Sequence, residues 1–140
     1  MALTLDQANS IIAAVLRHAT NARYQPMAVV VLDDAGHIKS AQRQDGASMF
    51  RIDIASGKAW ASIAMGAASR ALVERAKDLP AFFGALASTG NGKFIPQTGA
   101  VLIKDSDGKI VGAVGASGGT GDEDEEICIA GVKDAGLLPA

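Results

Sequence analysis

Few residues of this 140-residue chain are equipped for chemistry, and they are scattered along it. Arg43-Gln44-Asp45-Gly46-Ala47-Ser48 sets a guanidinium two residues before a carboxylate, where a strand ends and a turn begins. An arginine fork grips carboxylates through parallel N–H bonds, so one reading is a polar clamp for an acidic ligand. The plainer reading is an Arg–Asp pair that fixes the strand-to-helix corner. Lys58 lies within Ser56-Gly57-Lys58-Ala59-Trp60-Ala61-Ser62. A lysine among small residues can neutralise a ligand carboxylate or, once desolvated, take part in catalysis. Its plainer role is a stem laid along a packed face with the ammonium in water. His18 and His37 are each candidate axial ligands to a haem iron, with Met49 and Met65 behind them. Against this, a lone histidine belongs most simply to a surface or helix end, and methionines fill cores. Neither histidine falls in a metal pattern such as HExxH. Cys128 is the single cysteine, so neither a zinc ligand set nor an intrachain disulfide is available.

The stretch Val111 to Glu126, VGAVGASGGTGDEDEE, begins as a strand, turns glycine-rich and ends in carboxylates. Glycine loops before helices make anion sites from backbone N–H groups. Here the first helical turn is already acidic, which complements the helix macrodipole and repels a phosphate. No GK[ST] follows. Gly112, Gly115 and Gly118 miss the GxGxxG spacing and lack a parallel β-α-β unit around them. The glycines Gly115, Gly118 and Gly119 instead permit close approach of a neighbouring helix or a flat ligand. Gly115-Ala116-Ser117-Gly118-Gly119 loosely fits a nucleophile elbow, but no histidine follows residue 37, so Ser117 has no base. The carboxylates at 122 to 126 could form a surface metal site; a solvated helix start accounts for them more simply.

The elements that must position these groups can be read from spacing. Thr4 with Gln7 three residues on is a capping box, and Ile11, Ile12, Val15, Leu16 and Ala19 recur at helical spacing behind it, giving a helix over about 4–22. Met27 to Asp34 reads as a strand apolar enough to be buried on both faces, and His37 to Gln44 as its polar hairpin partner across Asp33-Asp34-Ala35-Gly36. An alanine-rich helix, interrupted by Gly57 and Gly66, is expected from Met49 to about Arg75, then a short one from Leu79-Pro80 through Leu86. Two strands, Gly99–Asp105 and Lys109–Ser117, are joined by an Asp-Ser-Asp-Gly turn, and a last helix spans about Asp122 to Ala135. Hairpins without β-α-β crossovers predict an α+β fold on an antiparallel sheet.

Composition narrows the function classes. Hydrophobic residues make up 49% of the chain, enough for a core within a single domain. A net charge of −2 argues against a nucleic-acid partner. The longest apolar run, Met27 to Leu32, is far too short to cross a bilayer. The opening MALTLDQANS does not read as a secretory signal, so a cytoplasmic location with no membrane partner is expected.

Several segments together resemble one family. LDDAGHIKSAQRQDGAS, the helix bearing SGKAWAS, and GKFIPQTGAVLIKDSDGKIVGAVGASGGTGDEDEEICIAG are similar in order and spacing to the GlcG/HbpS haem-binding family, which includes the C-terminal domain of PduO-type proteins. The likeness spans nearly the whole chain. It rests on Asp34, Gly36, Arg43, Asp45, Gly46, Lys58, Ala59, Gly115, Ser117, Gly118, Gly119, Asp124 and Gly131 among others. It departs at Gly92-Lys93-Phe94-Ile95-Pro96, where family members often carry a second glycine. The resemblance implies a profilin-like sandwich with a central antiparallel sheet of about five strands flanked by helices. It also implies homo-oligomers, octamers in some members, and haem as ligand in some. Other members occur beside small-molecule catabolic genes. On this reading Arg43 and Lys58 face ligand carboxylates, Gly115 to Gly119 form a wall, and His37 or His18 ligates iron. The alternative is an enzyme for a small organic acid, with Arg43 orienting substrate and Asp45 or Lys58 transferring a proton.

Overall fold

A computed structural model describes residues 2–140. The first helix, α1 (Leu5–Asn21), opens on the expected box: Thr4 Oγ1 accepts the Gln7 N–H, and Gln7 Oε1 accepts the Thr4 N–H, both at 3.0 Å. Its apolar stripe of Ile11, Ile12, Val15 and Ala19 is fully buried. Strands β1 (Ala28–Asp33) and β2 (Ile38–Arg43) pair antiparallel. The turn between them is held by Asp33 Oδ1, which accepts the N–H groups of Ala35 and His37 at 3.0 Å, and by Gly36 at a φ of +84°.

The alanine-rich helix is shorter than its composition suggests. It runs as α2 from Met49 to Met65 and stops where Gly66 adopts a φ of +67° and donates its N–H to Ser62 O. A left-handed cap of this kind favours glycine and ends a helix even where alanine content would let it continue. The chain restarts as α3 (Ser69–Asp78), then α4 (Pro80–Thr89) with proline in its first turn. Strands β3 (Ala100–Lys104) and β4 (Ile110–Ser117) follow, then α5 (Gly121–Asp134) and a two-residue β5 (Leu138–Pro139).

Among the described residues the strands form one sheet in the order β2-β1-β4-β3-β5, antiparallel at every pairing. The fold is therefore α+β, with a five-stranded antiparallel sheet flanked by helices, as expected. Val29 and Val31 face the core shared with α1 and α5, while Ala28, Val30 and Leu32 face α2. Alternate residues of β1 thus enter two cores, which is why its sequence is apolar throughout. Residue 115 lies where α2 crosses β4: a methyl group there would fall on the carbonyl oxygen of Ala55, so only glycine admits this approach. Among the described residues no helix is long and apolar enough to cross a membrane.

Candidate functional site

The most deeply buried ion pair among the described residues joins side chains 66 positions apart in the chain. Lys58 projects from α2 towards the end of β4 and is 5% exposed. Its Nζ donates to Asp124 Oδ2 and to the carbonyl oxygen of Ala116, each at 3.0 Å. Asp124 is 1% exposed, and its Oδ1 accepts the Gly119 N–H at 2.9 Å. Burial pushes the Asp124 carboxyl above the usual carboxylate range, and the Lys58 ammonium, the Gly119 N–H and Arg51 pull it back. Gly99 leaves room for the ammonium, since a Cβ at that position would stand 2.6 Å from Lys58 Nζ.

The sequence explains why Asp124 points inward. Thr120 caps α5 and exchanges bonds with Glu123, whose Oε1 accepts the Thr120 N–H at 2.9 Å while Thr120 Oγ1 accepts the Glu123 N–H at 3.1 Å. Glu123 is thereby turned back on the cap. Asp122 and Glu125 both reach Arg70. Of these four acids, only Asp124 enters the interior. Above the pair opens a cleft of about 400 Å³. Arg51 and Ile54 of α2, Gln97 and Thr98 of the loop before β3, Ser117, Gly119, and the first residues of α5 line it. Arg51 Nη1 donates to Ser117 Oγ at 3.2 Å.

Of the residues singled out in the sequence, the fold brings Lys58, Ser117 and Gly119 to this cleft. Gly115 lies beneath α2, and Gly118 packs on Pro26 and Met27. Arg43 and Asp45 are elsewhere, in a cleft of about 560 Å³ between β2 and the end of α1, beside Leu16, Thr20 and Tyr24. Among the described residues no ion pair joins Arg43 to Asp45. The corner is held instead by Arg43 Nη1, which donates to Ala47 O at 2.5 Å, and by Gln44, whose N–H and Oε1 bond the Met27 backbone at 2.8 Å.

The two histidines have different surroundings. His18, near the end of α1, has Nε2 2.7 Å from Asp134 Oδ2, and Arg17 reaches the same oxygen at 3.2 Å. These bonds, the one to His18 foremost, hold the Asp134 carboxyl below the usual carboxylate range. His37 stands at the β1–β2 turn with Nδ1 3.9 Å from Asp33 Oδ1. Its ring borders a cleft of about 570 Å³ with Trp60, Asp53 and Ser56 of α2 and Lys93 of the loop after α4. Met49 is exposed, and Met65 packs with Phe83 and Phe94.

Sequence reasoning did not single out Arg51, Asp124 as the Lys58 partner, or Trp60 and Lys93 as cleft walls. The Thr120-x-x-Glu123 box was the available signal that one neighbouring acid is free to turn inward. Arg51 carried no signal, because its neighbour Ser117 comes from another element.

A family model described as haem degrading protein HbpS-like matches residues 3–133. No curated protein matches the chain. Among solved structures, the chain is similar to PduOC in its complex with haem, at 25% identity and a TM-score of 0.87 over 98% of this chain and 97% of that one. It is also similar to the Klebsiella pneumoniae protein ORFY, at 25% identity and a TM-score of 0.86 over 96% and 90%. A double mutant of HbpS from Streptomyces reticuli matches at 25% identity with a TM-score of 0.82 over 95% and 86%.

Proposed function

We propose that this chain, which belongs to the HbpS-like family, binds haem. The carrying observation is the cleft between the β1–β2 turn and α2, which His37, Trp60 and Lys93 line together. Among the described residues His37 Nε2 has no hydrogen-bond partner, while Nδ1 lies on the side of Asp33. An imidazole nitrogen without a hydrogen-bond partner is available as a metal ligand. Gly36, at a φ of +84°, brings the turn alongside the indole, where a Cβ would make ordinary contact with Trp60 at 3.6 Å. Lys93 supplies a cation suited to a propionate. When bound, the haem would supply an iron open to axial ligation and redox chemistry. His18 is less suited, because its Nε2 is already committed to Asp134. The likeness to a protein solved with haem supports the same reading.

Titration of the apo protein with haem, followed at the Soret band, tests this. Saturable binding that His37→Ala abolishes and His18→Ala preserves is the expected result. Loss in His18→Ala alone would move the iron to α1, and no Soret shift in the parent protein would end the haem reading. We propose further that the chain works as a homo-oligomer in the cytoplasm. Met49, Phe50 and Ile38 stand in water at one end of α2 and along the open edge of β2, as residues awaiting a partner surface do. A monomer mass in sedimentation at working concentration would overturn the assembly, and cell fractionation tests the location.

A further inference from the structure

We infer that the cleft over the Lys58–Asp124 pair is a second binding site, one that takes the carboxylate of a short organic acid. It lies on a different side of α2 from the His37 cleft and does not depend on haem binding.

The argument is a count of donors without acceptors. An ammonium has three N–H groups. Those of Lys58 that have partners go to Ala116 O and Asp124 Oδ2, leaving one unspent on a 5% exposed side chain that borders the cleft. Ser117 is 1% exposed; its oxygen accepts from Arg51, and its own O–H has no acceptor among the described residues. Arg51 makes no ion pair among the described residues and gives only Nη1 to Ser117, so most of its fork is free. The N–H groups of Gly121 and Asp122, in the first turn of α5, have no carbonyl behind them to bond. Buried or half-buried donors that converge without acceptors are costly unless a ligand or water completes them.

The charge balance selects the ligand. The acids at the rim already have partners: Asp124 pairs with Lys58, Asp122 and Glu125 share Arg70, and Glu123 accepts the Thr120 N–H. Arg51 is the one cation in the cleft without an ion-pair partner among the described residues, but with Lys58 and Arg70 it sets three positive charges against four carboxylates, so its free fork favours a ligand of the smallest negative charge. A monocarboxylate fits that, and its two oxygens match a guanidinium fork. A dianionic phosphate would bring more charge than the site balances. The ligand's short body would rest on Ile54, the apolar residue of the lining.

The test is amide-resolved NMR titration of the haem-free protein with pyruvate, glycolate, acetate, chloride and inorganic phosphate. The expected result is saturable shifts of the Gly121 and Asp122 amides with a carboxylate. Arg51→Gln should weaken that carboxylate by at least about tenfold, the scale of one charged hydrogen bond. Ser117→Ala provides a second, milder variant and should weaken it less. Haem uptake by Arg51→Gln should be unchanged, which separates failure of this site from failure of the haem reading. The inference is overturned if no carboxylate gives saturable shifts, if chloride or phosphate binds as well as the carboxylates do, or if both variants bind like the parent.

Discussion

Replacing Lys58 with methionine keeps the length and apolar stem of the side chain and deletes its charge. What remains is an Asp124 carboxylate 1% exposed, with the Gly119 N–H as its hydrogen-bond donor and Arg51 as the nearby cation acting on it. Removing one partner of a buried ion pair costs about 3–5 kcal/mol, because the survivor must either stay charged in a poor solvent or take up a proton. In urea this would lower the unfolding midpoint by roughly 2 M. The cost has a definite pH dependence. Burial already raises the Asp124 carboxyl above its ordinary value in the folded state. A raised carboxyl contributes stability at pH below its unfolded value, and that contribution is lost as pH rises through the folded value. Lys58→Met raises the folded value further. The variant should therefore approach the parent's stability in acid and fall progressively behind it as pH climbs. Urea denaturation of both proteins across that range measures the difference. The double variant Lys58→Met/Asp124→Leu should be more stable at neutral pH than Lys58→Met alone, since it removes the orphaned charge. A pH-independent loss, or one below about 1 kcal/mol, would refute the claim that this pair is buried and coupled.

Gly115→Ala should destabilise the protein by roughly 1–3 kcal/mol in the same assay, because the added methyl meets the Ala55 carbonyl and drives α2 off the sheet. Burial pushes the Cys128 thiol far above its ordinary range, so it should resist Ellman's reagent in the folded protein and react at once in denaturant. In His18→Ala the Asp134 carboxyl should titrate closer to the usual carboxylate range, seen by NMR of its side-chain carbon. In the parent, that depressed carboxyl contributes stability above its unfolded value, lost as pH falls through the folded one.

Local signals reported local structure well. The Thr4–Gln7 box, the turn at Asp33–Gly36 and the doubly apolar β1 each act through neighbours in the chain, and each was legible there. The end of α2 was missed because Gly66 sits in a stretch whose alanine content favours continuation, and only its left-handed cap stops the helix. Strand β5 has two residues and exists because the Ala140 N–H and C=O bond Leu102, a pairing no periodicity encodes. The candidate site was half visible. Lys58, Ser117 and Gly119 could be chosen by type, whereas the Asp124 partner and the free fork of Arg51 arise only when α2, β4 and α5 meet. Arg43 and Asp45 looked equally promising in sequence, yet the fold sends them to the other end of β2 from His37 and to a cleft apart from Lys58.

Helix α2 serves both proposed sites at once: Arg51, Ile54 and Lys58 look into one cleft, and Asp53, Ser56 and Trp60 into the other. A shared beam of this kind would ordinarily carry messages, since a ligand that slid or rolled it would change affinity on the far side, and the effect would be reciprocal. Here the beam is clamped. Its backbone rests on Gly115 with no side chain between, so it has no slack along which to shift. The two ligands should consequently bind as strangers, each leaving the other's dissociation constant unchanged. Gly115→Ala, by lifting the helix, is the change that would let one site hear the other.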